Sequence, residues 1–373
     1  MGREIYPALP RSVLLNAKAT LVVIGMMDAG SLPVTPSTLT SALYAAGTLQ
    51  HGAVVTVEIT KQHKTPISHL WFLEVGYTTD LSPELPCRLL VKWPVADSPA
   101  PERGGPELVF YRELAPALPS PPMIKCLATA APTDEHQWLI LEDLRATHTN
   151  PPWPDRPTDT DLNDAVTVLA QLHAHWWEAT TLGSTVGTLH TDTSLRTMVH
   201  DIAANLPGLL DDLGEDLPRN DRLLLETVFS SSLKPWLRLV DLRALTVTHG
   251  DAHTWNFLFS RSGRSVPYIF DWQLWHLDVG ARDLAFMIAL HWDRAVRQQL
   301  ELPLLHRYYE ELLDAGISNY SFADLLLDYR RCLVRNLTFP IICWSRGWTR
   351  EAWRYRLDCA LAAFRDFDAD ELL

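Results

Sequence analysis

Cysteine is scarce and irregularly placed: Cys87, Cys126, Cys332, Cys343 and Cys359 are odd in number and never spaced as CxxC. That pattern provides no zinc framework and suits a reduced, cytoplasmic protein. Long apolar runs are missing as well. The longest candidate targeting segment, "TLVVIGMM" at 20–27, has eight residues, short of the ~18 that a membrane helix needs. No membrane partner is expected. Basic residues are outnumbered, 32 Lys and Arg against 45 Asp and Glu, giving a formal charge of −13. Phosphate backbones demand basic surfaces, so nucleic acid is not an expected partner. Internal repeats and low-complexity tracts are also lacking. What the chain does have is apolar, Trp-rich sequence, 47% hydrophobic over 373 residues, enough for one large domain or two lobes.

Two halves differ in texture. From about residue 50 to 145, "AVVTVEIT", "HLWFLEVGY", "CRLLVKW" and "QWLILEDL" read as strands bounded by polar turns. Between the third and fourth, "PELVFYRELAPAL" carries helical spacing behind Pro106. "TPSTLTSALYAAG" (35–47) reads as a capped helix leading into this sheet. A proline-rich connector, "THTNPPWPDRPTDTD" (147–161), follows. Beyond it the spacing predicts helices at 162–178, 220–240, 282–300, 301–314, 322–337 and 350–366, interrupted by strands at 245–271. The expected architecture is α+β: an extension at 1–35, a small sheet-rich unit at 36–144 and a larger, mostly helical unit at 145–373.

"LTVTHGDAHTWNFLF" (245–259) concentrates polar side chains between two strand-like runs. The next segment, "FLFSRSGRSVPYIFD", reads as a hairpin turning at Gly263. If 263 faces 264, Asn256 faces Asp271 across its open end. An amide oxygen and a carboxylate meeting there are hard ligands of the kind Mg²⁺ takes. Asp251 lies on the same loop and can hold a substrate hydroxyl beside that metal. Base, second metal ligand and principal metal ligand is the protein-kinase division of labour. Two other readings compete. His249 and His253 could form a metal site, but four-residue spacing aligns side chains on a helix and not on a loop. A polar turn without chemistry leaves the Asp–Asn–Asp order unexplained. His249 reads better as a residue bracing the loop.

"HGDAHTWN", "IFDWQ" and "GARDLAF" resemble the aminoglycoside phosphotransferase and choline kinase superfamily, which has the fold of protein kinases. "FDWQ" and "YYEELLDAGISNYSFADLLLDYRR" look most like its ecdysteroid-kinase-like branch of small-molecule kinases. The resemblance runs from about residue 36 to the C-terminus and implies a bilobal protein-kinase-like fold. By position it implies Asp251 as catalytic base and Asn256 and Asp271 as Mg²⁺ ligands. It also implies that Asp283 braces the catalytic loop, although its place at a helix start has an ordinary capping reading too.

A kinase-like first lobe needs a strand lysine for the phosphates and a helix glutamate to orient it. Lys92 ends the apolar run "RLLVKW". Glu107 shares a helical face with Phe110, Tyr111 and Leu114, whereas Glu113 points elsewhere and Glu102 precedes a Gly-Gly pair. "WLILEDL" resembles the hinge between lobes, where adenine would meet backbone near Glu142 and Leu144, with Leu141 against the ring. The turn "KQHKTPISH" (61–69) has no glycine, so Ser68 and neighbouring amides are the candidates for phosphate contact, and the nucleotide could be ATP or GTP.

The expected activity is transfer of the γ-phosphoryl group from ATP·Mg²⁺ to a hydroxyl of a small molecule. An aminoglycoside, an amino alcohol, a sugar and a steroid-like alcohol all fit. Trp272, Trp275, Trp292, Trp344, Trp348 and Trp353 read mainly as core, though with Asp278 and Asp293 they could frame a pocket for a cationic amine. His173 and His175 read as packing or capping residues. The alternatives are a nucleotide-binding pseudokinase and a metal-dependent hydrolase.

Overall fold

A computed structural model describes residues 34–65, 68–78, 85–95, 105–118, 122–131, 137–152, 155–230, 236, 243–263 and 266–373. Most of the 1–35 extension, including "TLVVIGMM", lies outside the described residues, as do Glu102 and residues 66 and 67 at the tip of the glycine-free turn.

The chain enters through helix α1 (Pro36–Ala45), which begins where expected. Thr35 and Thr38 form a reciprocal capping box, and Pro36 supplies a preset φ in the first turn. Leu39 and Leu43 on one face are fully buried. They pack against Trp71, Leu73, Val75, Leu89, Val91 and Ile140, which project from one side of an antiparallel sheet. That sheet holds β1 (Val54–Lys64), β2 (Ser68–Tyr77), β3 (Arg88–Pro94), β4 (Cys126–Thr129) and β5 (Leu139–Glu142), in the spatial order β1-β2-β3-β5-β4. β4 is absent from the sequence reading, because four residues of "CLAT" show no alternation long enough to register.

Between β3 and β4 comes α2 (Gly105–Val109), which widens at once into a π-helical turn, Phe110–Leu114. The buried set Glu107, Leu108, Phe110, Tyr111 and Leu114 includes the face expected from its sequence, while Glu113 is exposed. The opposite side of the sheet, carrying Leu90, Leu139 and Leu141, joins a large core shared with the helical part of the chain.

A short strand β6 (His148–Thr149) opens that second part. Helix α3 (Asp159–His175) starts earlier than predicted because Thr158 and Asp161 make a capping box. Helices α4 (Asp192–Ala203) and α5 (Leu206–Leu213), missed by periodicity, precede α6 (Arg219–Ser230). Strands β7 (Leu245–Thr248), β8 (Phe257–Ser260), β9 (Tyr268–Ile269) and β10 (His276–Val279) carry the central loops; β10, unpredicted, pairs with β7. The expected break at 300/301 lies instead before Arg294. α7 spans Ala281–Ala289, and α8 runs unbroken over Arg294–Asp314 with Pro303 inside it. Asp293 caps α8 by accepting the amides of Ala295 and Val296. α9 (Phe322–Asn336) and α11 (Arg350–Asp366) match their predicted spans, with α10 (Thr338–Ser345) between them.

Candidate active site

The loop after β7 is shaped by a glycine and an aspartate. Gly250 has φ +79°, and a Cβ there would strike the carbonyl of Leu274, so only glycine fits. Asp283, in the first turn of α7, does not cap its own helix. Its carboxylate instead accepts the amides of His249 (2.6 Å) and Gly250 (2.9 Å) and a bond from His173 Nε2 (3.2 Å). His173 bonds Tyr308 through its other nitrogen, at 2.8 Å. These groups are buried, and they fix the loop from beneath.

His249 is fully committed too. Its Nε2 donates to the Phe270 carbonyl (2.9 Å), and its Nδ1 accepts the Asp251 amide (3.3 Å). Both nitrogens serve the fold, as expected of a bracing residue. Among the described residues no group of three His, Cys, Asp or Glu side chains is arranged to hold a metal ion.

Asp251 and Asn256 are joined directly. The amide of Asn256 donates to the Asp251 carbonyl (2.8 Å) and to its Oδ2 (3.1 Å). Burial, and then the nearby Asp271 carboxylate, push the Asp251 pKa up to about 7 against the opposing bond from Asn256. His253 Nε2 lies 3.5 Å from Asp251 Oδ2; burial and the field of His249 bring its pKa down to about 4, which keeps it neutral.

The β8–β9 hairpin corrects the predicted register by one residue. Phe257 faces Ile269 and Leu258 faces Tyr268. Asn256 is therefore opposite Phe270, whose amide donates to the Asn256 carbonyl at 3.0 Å, and not opposite Asp271. A one-residue slip would ordinarily turn a side chain to the other face. Here Asp271 leaves the strand in a left-handed conformation, φ 67° and ψ 60°, and its carboxylate remains close enough to act on Asp251.

Lys92 connects the two parts of the chain. Its ammonium lies 2.6 Å from Glu107 Oε2 and 2.8 Å from Asp271 Oδ1. Burial opposes its charge, but the carboxylates of Asp271 and Glu107 outweigh that and hold the pKa above the ordinary lysine value. Burial would likewise raise Asp271, and the Lys92 ammonium overcomes it to keep the carboxylate ionised. Glu107 is 1% exposed and also receives a side-chain bond from Gln273. The rest of "DWQLW" grips the same helix. Trp272 stacks on Phe110 with ring centroids 3.7 Å apart, and Trp275 Nε1 donates to the Pro106 carbonyl at 2.6 Å. This clip was not visible in the sequence, where Trp272 is one tryptophan among many.

Other expected residues are placed less simply. Ser68 is buried, and its amide is engaged by Thr65 Oγ1 at 2.9 Å. That amide is therefore already engaged within the turn. Leu141 is buried on the sheet face that carries Lys92. The Glu142 amide bonds the Lys125 carbonyl, and the Leu144 carbonyl accepts the amides of Thr147 and His148. The suggested acidic pocket does not form from the residues named for it. Asp278 is fully buried and paired with Arg335, Oδ1 at 3.0 Å from the guanidinium, and Asp293 caps α8. Trp272, Trp292 and Trp353 are core, and Trp348 is exposed.

A lysine on a small antiparallel sheet, paired with a helix glutamate and facing an aspartate–asparagine loop in a helical unit, defines a kinase-like phosphotransferase fold. A sequence model of the phosphotransferase enzyme family matches residues 82–326, and the chain belongs to that family. Its structure is similar to that of a spectinomycin phosphotransferase solved with ADP and spectinomycin, at 14% identity over 91% of this chain and 100% of that one, with a TM-score of 0.53. It is also similar to a Ralstonia eutropha protein described as an aminoglycoside phosphotransferase, at 13% identity over 90% of this chain and 99% of that one, with a TM-score of 0.54. No curated protein matches it in sequence.

Proposed function

We propose that the chain transfers the γ-phosphoryl group of ATP, with Mg²⁺, to a hydroxyl of a small molecule. The observation that carries this reading is the Lys92 ammonium shared between Glu107 and Asp271, beside an aspartate already bonded to Asn256. Lys92, oriented by Glu107, would exchange its Asp271 contact for nucleotide phosphate oxygens. Asp251 would receive the acceptor hydroxyl, align its oxygen with phosphorus and take its proton as the new P–O bond forms and the bond to the leaving ADP breaks. A loose transition state demands positioning more than nucleophile activation, and a carboxylate with a pKa about 7 can both accept and later release that proton.

The donor set fits Mg²⁺. Asn256 directs its amide nitrogen at Asp251, which turns its oxygen away, and Asp271 is 37% exposed. Those two hard oxygens would hold the metal; when bound, it would neutralise charge on the transferring phosphates. At the hinge segment the Glu142 amide and Leu144 carbonyl already serve the fold, so base recognition would fall to the opposite backbone group of each residue.

From Asp251, a run of ring contacts leads through His253 and His291 to Phe286 and Phe339, where the Arg356 guanidinium lies 5.2 Å from the ring of Trp348. Nearby carboxylates have other work. Asp278 holds Arg335, and Asp366 holds Arg294 and Arg297. The five cysteines are unpaired, which suits a reducing cytoplasm. Among the described residues no helix is long and apolar enough to cross a membrane.

The test is ADP release from ATP·Mg²⁺ across a panel of hydroxylated sugars, sterols, amino alcohols and aminocyclitols. Acceptor-stimulated release is expected. A protein that binds ATP·Mg²⁺ but releases no ADP with any class would favour the pseudokinase reading, and one that binds no nucleotide would end the proposal.

A further inference from the structure

On the assumption that the cleft beside Lys92 takes a nucleotide, the base end of that cleft shows an unexpected occupant. Phe72 on β2 lies opposite Leu90 on β3, and Leu90 lies opposite Leu141 on β5. This apolar row runs across the sheet next to the row Leu70–Lys92–Leu139, on the same face. A flat base whose triphosphate reaches Lys92 would meet Phe72, Leu90 and Leu141. The face of Phe72 is already covered. The Arg145 guanidinium carbon sits 3.7 Å from its ring centroid.

Arg145 is held there by design of the local chain. Its Nε and Nη2 clasp the Asp143 carboxylate, with contacts of 2.7–3.0 Å, and Nη2 lies 3.4 Å from Thr60 Oγ1. Asp143 also accepts the amide of Arg145 itself at 3.0 Å, which closes a tight turn directly after the hinge segment. Beside this clasp opens a cavity of about 390 Å³ lined by Thr60, Lys61, Glu74, Arg88, Asp143 and Arg145. The cavity has room for the displaced guanidinium, and the more distant Lys61 ammonium lies 5.7 Å from the centroid of the same Phe72 ring. Stacking surfaces cannot be shared at van der Waals distance, so a purine can reach Phe72 only if Arg145 leaves it.

The geometry points to Arg145 as a nucleotide-site residue that competes with the base for the face of Phe72, so that base binding displaces it toward the adjoining cavity. Base-free phosphate has no such competition. Arg145 thereby lowers affinity for the nucleoside part of the ligand without touching the phosphates.

Calorimetry with Mg²⁺ and two probes, ATP and inorganic tripolyphosphate, tests this. Arg145→Ala is expected to bind ATP roughly two- to tenfold more tightly, the scale of one partly exposed cation–π contact and an ion pair whose guanidinium is exposed and whose carboxylate is buried, while tripolyphosphate affinity stays the same. Because Arg145→Ala leaves Asp143 buried without its partner, the double variant Arg145→Ala/Asp143→Asn is measured alongside, with the same tightening expected. ATP affinity that is unchanged or weaker in both variants overturns the inference, as does equal tightening for tripolyphosphate. Lys92→Met separates this from the underlying reading. If it loses both probes while the Arg145 variants show no tightening, the nucleotide site stands and the role of Arg145 falls. Wild-type protein that binds neither probe takes both down.

Discussion

Lys92 on the third strand and Asp271, 179 residues later, meet at 2.8 Å, and Glu107 closes the other side of the same ammonium at 2.6 Å. The contact joins the sheet to the helical part through charges that belong to the proposed chemistry. Lys92→Met should abolish measurable ATP·Mg²⁺ binding by calorimetry. It should also lower stability by about 1–3 kcal/mol, because Glu107 is left buried with only Gln273 for company. A variant with unaltered nucleotide affinity would remove Lys92 from the site.

Asp251→Asn separates binding from chemistry. Asparagine keeps the shape and an acceptor oxygen for Asn256 but cannot take a proton. Turnover should fall by about 10²–10⁴-fold, with nucleotide affinity within a few-fold of wild type, roughly the scale of one altered hydrogen bond. Steady-state kinetics and calorimetry on the same preparation check both halves.

Asp283 acts by positioning. Replacing it with alanine strips the His249 and Gly250 amides and His173 of their acceptor in a fully buried place. Urea unfolding should show a loss of about 2–5 kcal/mol. Asp283→Asn, which retains one acceptor oxygen, should lose less. Equal stability in the alanine variant would show that the loop is held by something else.

Acid should find the Asp278–Arg335 pair. Burial would raise the Asp278 pKa, but Arg335 outweighs it and holds the carboxyl well below the usual carboxylate range. A depressed native pKa means the unfolded chain binds the proton more readily. The pair's contribution is therefore complete above the ordinary carboxylate pKa near 4 and lost progressively as pH falls below it. Arg335→Met should cost about 3–5 kcal/mol at neutral pH by leaving a buried carboxylate with only His276 and the Val279 amide beside it. The deficit should shrink as the pH drops from about 5 to 2. A deficit independent of pH would assign it to packing.

The choice of Glu107 over Glu113 and Glu102 was available from periodicity alone, because one helical face carries its apolar neighbours. The helix itself is shorter than that reading assumed and ends in a π turn, yet the face survives because its buried residues cluster within ten positions. The hairpin shows the opposite case. Its register was inferred from an extended chain up to Asp271, and the left-handed backbone there displaces the pairing by one while still delivering the carboxylate. A single residue's φ is not written in side-chain pattern. Strands β4 and β10 escaped for a related reason: four residues make too short a pattern to distinguish from loop.

By itself, the sequence determined the division into a sheet-rich and a helical part, the helical face that Glu107 occupies, and the polar loop carrying Asp251 and Asn256. Those follow from local periodicity and from residue chemistry at short range. Only the tertiary structure decided that Lys92 and Asp271 share a proton-bearing contact, that Asp278 is sealed by Arg335 and unavailable to a ligand, and that Arg145 lies on Phe72. Each of these depends on where distant segments pack, and burial with partner choice, rather than residue type, sets the charge and the reach of such groups.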